Sequence, residues 1–179
     1  MKALKIIFIV LVAIVAVALI VAAFAKKTYS VEREIVINKP KAQVFNYIKY
    51  LKNQDSYSKW AKMDTEMRKE YKGIDGTVGF TSAWESDKKD VGQGIQEIKK
   101  ITEGEKLEMG IHFIKPFDGL ADAEITTIAL DSTKTKVTWG FQSKMNYPMN
   151  LMLLFMDMEK MIGGDLAIGL GNLKSILEK

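Results

Sequence analysis

Acid–base chemistry in this chain would have to come from Glu85, Asp122 and Glu124, carboxylates beside or within apolar segments, and from His112, the only histidine. A carboxylate taken out of water has a raised pKa and can then act as general acid or base near neutral pH. The local pattern gives none of the four that setting. Asp122 and Glu124 alternate with Ala123 and Ile125, so in a strand they share the face opposite the apolar one. His112 lies with Glu108 and Gly110 opposite Leu107, Met109, Ile111 and Phe113, and Glu85 follows Trp84 into a turn. No catalytic residue is expected.

One histidine and no cysteine leave too few ligands for a zinc site and rule out disulfide or thiolate chemistry. No nucleophile elbow, P-loop, Rossmann or HExxH pattern occurs, so neither a metal nor a cofactor is expected. Gly92-Gln93-Gly94 reads as a close backbone approach or bulge, and Gly169-Leu170-Gly171 as helix packing.

A different chemistry is concentrated in KMNYPMNLMLLFMDMEKM, Lys144 to Met161, which holds six of the ten methionines. Met149, Met152 and Met156 recur at i, i+3 and i+7, a thioether stripe along a helix with Met145 and Met158 nearby. Such side chains adapt to irregular gaps and to varied ligands, so the stripe is either a malleable pocket wall or gap-filling under a bent helix. As an exposed surface it would touch a bilayer.

The formal charge of +4 is carried by Lys2, Lys5, Lys26 and Lys27; the remainder has 22 basic and 22 acidic residues. A nucleic-acid binder needs a basic stripe on its folded domain; these lysines instead flank an apolar run, and no nucleic-acid partner is expected. The run is Ile6 to Ala25, twenty residues without a polar side chain. At about 1.5 Å per residue it spans the roughly 30 Å of a bilayer's hydrocarbon core. Residues 1–27 are therefore expected to form a single-pass transmembrane anchor, with the lipid bilayer contacted through 6–25, and residues 28–179 a separate body. A cleaved leader, with Ala23-Phe24-Ala25 as its small-x-small site, and a buried core helix are the alternatives, but the run exceeds the roughly 7 to 15 residues of a leader's apolar core. Flanking lysines favour a cytoplasmic body and the short tail favours the opposite, so the side of the membrane stays open, as does the oligomeric state.

The elements that must position the apolar residues follow from periodicity. Thr28 to Asn38 alternates as a first strand. KPKAQVFNYIKYL has helical spacing with Pro40 near its start, and NQDSYSKWAKM is a short helix or turn. Alternating segments follow at Glu66 to Tyr71, Thr77 to Trp84, Gly92 to Ile101, Lys106 to Ile114, Ala121 to Leu130 and Thr135 to Met145, spaced for an antiparallel meander. From Pro148 the period becomes helical, and Gly163-Gly164 is expected to break this stretch into a short helix and a long terminal one. Strands segregated from helices imply an α+β fold, a curved antiparallel sheet packed on a long C-terminal helix. Inward-facing positions are Val78, Phe80 and Trp84 in one strand, Val137, Trp139, Phe141 and Met145 in the last.

This order resembles the helix-grip fold of the START-like, or SRPBCC, superfamily, which includes polyketide cyclase-like proteins, Bet v 1-type allergens and lipid-transfer domains. The resemblance runs from Tyr29 to Lys179 and is carried by VEREIVINKPKAQVFNYI, GTVGFTSAW with GQGIQEI, KTKVTWGF and GLGNLKSILE, nearest to the polyketide cyclase-like branch. It implies a cavity between sheet and terminal helix for a hydrophobic small molecule, lipid or polyketide-like. Phe80, Trp84, Met109, Ile111, Phe113, Trp139, Phe141, Met145, Met152 and Phe155 are the expected lining. Two other readings stay open: a cyclase- or hydrolase-like enzyme using a pocket carboxylate or His112, and a ligand-free interaction or stress-response module. The Lys- and Ile-rich composition is compatible with a bacterial source.

Overall fold

In the computed structural model, which describes residues 2–179, helix α1 covers Lys2–Phe24 and is almost wholly exposed along its length. Its length and apolarity suffice to cross a membrane. Strand β1, Thr28–Ile37, follows after three residues, then helices α2, Lys41–Ile48, α3, Leu51–Tyr57, and α4, Lys59–Met63. Pro40 stands immediately before α2, where a missing N–H costs nothing.

Six strands come next: β2, Arg68–Lys72; β3, Thr81–Glu85; β4, Gln93–Thr102; β5, Lys106–Lys115; β6, Gly119–Ala129; and β7, Thr135–Lys144. All are antiparallel to their neighbours in one seven-stranded sheet, ordered β1-β7-β6-β5-β4-β3-β2. The two edges are β1 and the short, charged β2, RKEYK. A 3-10 helix, Met149–Leu154, and helix α5, Met158–Leu177, close the chain.

Alternation decides which face is buried. Leu107, Met109, Ile125, Val137 and Trp139 are sealed against Leu166, Leu170 and Leu173 of α5 and against Ile48, Leu51 and Tyr57 of α2 and α3. Each fully buried side chain of this kind contributes about 1.5 to 3 kcal/mol. Polar bonds hold α5 to the edge strand: Arg33 donates to Glu159 Oε1 at 2.5 Å and to its carbonyl at 3.0 Å, and Lys174 Nζ donates to the Val36 carbonyl at 2.6 Å.

Two expectations about elements fail. Gly163-Gly164 does not break the terminal helix, which runs unbroken through both. The break lies upstream, where Asp157 accepts from the Lys160 N–H at 2.9 Å and caps α5. Gly163 is there for space: a Cβ would lie 2.2 Å from Arg33 Nη2, so the guanidinium crosses the helix where only glycine admits it. Gly169 does the same for the Trp139 ring, at 2.7 Å. The third strand begins at Thr81 rather than Thr77, because Gly79, at φ +88°, holds the preceding residues in a turn. Val78 is consequently exposed rather than inward.

Candidate functional site: an apolar cavity under the curved sheet

Helix α5 lies across β1 and β7 at one side of the concave face. Helices α3 and α4 pack against α5, and residues of all three face strands β3 to β7 across a gap. The sheet is small in the middle here: Ala123 on β6 faces the gap, and Gly94 on β4 leaves room for the Trp84 ring, which a Cβ would approach to 2.5 Å. The result is a cavity of about 1090 Å³, just above the roughly 300 to 1,000 Å³ usual for ligand sites.

Its apolar wall includes Trp84, Ile111, Phe113, Trp139 and Phe141 from the strands and Ile162 and Leu166 from α5. Phe113 joins two rings, meeting Trp84 edge-on at 6.1 Å and Phe141 at 6.4 Å. Trp84 Nε1 donates to the carbonyl of Val91, another lining residue, at 3.2 Å, which fixes the indole in the wall. Gly92 permits this turn: at φ +64° its would-be Cβ lies 2.1 Å from the Lys115 carbonyl oxygen. At the mouth stand Met145, Met149, Met152 and Met156, with Tyr147. The 3-10 helix has a period of three, which aligns Met149 with Met152.

Polar groups gather on the side built by α3, β2 and β3. Asp55 pairs with Lys69 and accepts from the Tyr71 hydroxyl at 2.6 Å; burial first, then that carboxylate, raises the Tyr71 phenol's pKa. Gln54, Ser82 and Gln96 complete the polar wall. Both amides point Nε2 at the Met109 sulfur, at 3.8 Å from Gln54 and 3.1 Å from Gln96.

Of the ten residues expected to line a cavity, Trp84, Ile111, Phe113, Trp139, Phe141, Met145 and Met152 stand around this one, and Phe80, Met109 and Phe155 do not. Phe80 faces inward as expected but is buried in the core, stacked on Tyr71 at 6.1 Å, where its carbonyl continues the β3–β4 ladder by accepting from the Ile98 N–H at 3.0 Å. Met109 is sealed behind the two glutamines and reaches no open space. Phe155 follows the end of the 3-10 helix and is 83% exposed.

The acid–base candidates stay outside the wall. Glu85 is paired with Arg68 at 3.3 Å, and that hydrogen bond and charge hold its carboxyl below the usual range. His112 sits on the outer face with Nε2 2.7 Å from Asp118 Oδ1. Asp122 and Glu124 are exposed, Glu124 pairing with Lys106 at 2.5 Å.

Sequence reasoning missed Asn150. It is fully buried, and its Nδ2 donates to the Ala22 carbonyl at 2.7 Å and the Ala25 carbonyl at 3.2 Å, fastening the 3-10 helix to the end of α1. The available signal was a lone amide inside the apolar run MNLMLLF.

No family model matches the chain, and no curated protein does. Solved structures do. Norcoclaurine synthase from Thalictrum flavum, in complex with dopamine and hydroxybenzaldehyde, superposes with a TM-score of 0.64 at 8% identity, covering 87% of this chain and 89% of that one. A protein from Chromobacterium violaceum gives 0.59 at 10% identity, covering 84% and 97%. Ara h 8.0201 gives 0.54 at 14% identity, again covering 84% and 97%. The shared architecture of curved sheet and gripping terminal helix shows that the region after α1 has the helix-grip, Bet v 1-like fold.

Proposed function

We propose that the chain is a membrane-tethered binder of a hydrophobic small molecule, lipid or polyketide-like, with residues 1–27 as single-pass anchor in the cell membrane and residues 28–179 as the binding domain. The observation that carries this is the cavity of about 1090 Å³ with indole, phenyl and thioether walls beside a helix of membrane-spanning length. Each Å² of apolar ligand surface removed from water contributes roughly 25 cal/mol, and the Gln54, Ser82 and Gln96 side orients a polar end. The complex of norcoclaurine synthase with two small aromatic molecules supports the reading, since a protein of this fold accepts ligands of that size. The cyclase-like alternative would draw on a pocket carboxylate or His112; Glu85 and His112 stand outside the wall, and Asp55, on it, is engaged by Lys69 and the Tyr71 hydroxyl.

Native mass spectrometry of the full chain, extracted from the membrane in which it was made, tests this: a carrier releases with a lipid-sized additional mass, and a bare polypeptide mass sinks the proposal. Within the site, Trp139→Phe weakens that adduct more than His112→Ala does; equal effects would reject the assigned wall.

A further inference from the structure

Four connections meet at one end of the sheet. The register pairs Thr28 with Lys144, Ala121 with Ser143, Phe113 with Gly119 and Gln93 with Lys115. The link from α1, the exit from β7, the β5–β6 turn and the β3–β4 turn therefore lie side by side, and all but the first contribute residues to the cavity mouth. At most about 14 Å of extended chain separates Phe24 from Thr28, so this end of the sheet cannot stand far from where α1 leaves a bilayer. The Asn150 amide, bonded to Ala22 and Ala25, removes the remaining freedom by fixing the 3-10 helix against the last turn of α1.

On the side next to α1 the surface held there is largely apolar, while the β3–β4 turn beyond it reads SDKKD. Phe117 is 71% exposed, Leu120 69%, Leu154 55% and Phe155 83%, with Tyr147 and Met149 about half exposed beside them. At the far end the turns TEGE and DSTK are polar, and the exposed Ile74 and Val78 of the β2–β3 turn lie apart from the cavity mouth and from α1. An apolar rim of this kind, around a cavity mouth and joined to a transmembrane helix, has one occupant within reach.

We propose that the mouth is seated on the bilayer that holds α1, with Phe117 and Phe155 inserted among the lipids, and that the ligand enters sideways from the lipid without crossing water. The occupant of the rim is the bilayer itself; the entry route rests on the binding function proposed above, whereas the seating does not. A Phe side chain suits the boundary between headgroups and acyl chains, and the ring of methionines just inside offers a continuous apolar path from there to Trp139 and Phe141.

Because the chain has no cysteine, single replacements Phe117→Cys, Phe155→Cys and Ile74→Cys can be spin-labelled in the full chain without background. Ile74 is a matched control, 74% exposed at the far end of the sheet. In phosphatidylcholine–phosphatidylglycerol vesicles, the ratio of collisions with oxygen to collisions with a water-soluble nickel chelate should be several-fold higher at 117 and 155 than at 74. Ratios at 117 and 155 equal to that at 74 overturn the seating. The collision ratio reads placement and the mass adduct reads loading, so the two proposals fail separately.

Discussion

Replacing glycine by alanine at two positions of α5, Gly164 and Gly169, should move stability in opposite directions. Both sit inside the helix, where alanine is favoured by about 1 kcal/mol. At Gly164 a Cβ would find no atom within 4 Å, so the full gain appears; for a chain of 179 residues that is a rise of about 2 to 4 °C in Tm. At Gly169 the same Cβ would lie 2.7 Å from Cζ3 of Trp139. Carbon atoms rest about 3.5 to 4.0 Å apart, so the indole must retreat by roughly 1 Å. It is 4% exposed and held edge-on by Tyr57 at 5.7 Å. Overpacking of this kind costs about 1 to 3 kcal/mol, which cancels or exceeds the gain and lowers Tm by up to a few degrees. Trp139 also walls the cavity, so the displaced ring reduces ligand occupancy as well. Thermal unfolding of both variants, followed by circular dichroism in one detergent, measures the difference. If Gly169→Ala stabilises as much as Gly164→Ala, the close approach of helix and ring is wrong, and with it the account of why these glycines stand in a helix.

Three further outcomes follow from the same structure. Ala123→Phe projects a ring into the cavity from the middle of the sheet, and native mass spectrometry should show the lipid-sized adduct lost while far-UV circular dichroism is retained. Asn150→Ala removes two amide bonds to the end of α1; at about 1 kcal/mol each, opening of the link should rise by an order of magnitude or more, read as faster tryptic cleavage after Lys26 and Lys27. Glu178 accepts from the Asn38 N–H at 2.6 Å, the larger of the influences that hold its carboxyl below the usual range, and pairs with Lys174 at 3.3 Å. A depressed folded pKa stabilises above the unfolded value and loses that contribution as pH falls through the folded one. Glu178→Gln should therefore lower Tm at neutral pH and flatten its decline on acidification; an unchanged acid limb would remove Glu178 from the account.

What the sequence disclosed was whatever repeats along a single element. The alternation of Leu107, Met109, Ile111 and Phe113 against His112 gives the buried face of β5 correctly, and the order of strands and helices gives the fold. What it concealed depends on partners distant in the chain. Gly163-Gly164 looks like a helix break until Arg33, on a strand 130 positions earlier, is seen crossing the first of them. Phe80 shares the parity of Trp84 and is inward as the pattern says, yet its place four residues along puts it in the core and not at the cavity. Met109 and Ile111 share a face and differ in fate: the two glutamines seal one and leave the other at the cavity, a distinction made by sheet curvature and by α3 together. The bond from Asn150 to α1 joins segments whose relation no local pattern encodes.

Under the proposed tethering the body would meet its copies in two dimensions, where local concentration is high and collisions are edge-on. An open sheet invites strand-to-strand joining under such crowding, and both borders of this sheet are guarded. On β2, Arg68, Lys69, Glu70 and Lys72 crowd a stretch of only five residues, too short and too charged to template another chain. On β1 the exposed Val36 carbonyl is already occupied by Lys174 Nζ, and Arg33 is engaged by Glu159. The same contacts that fasten the final helix thus keep neighbouring copies from zipping into a common sheet.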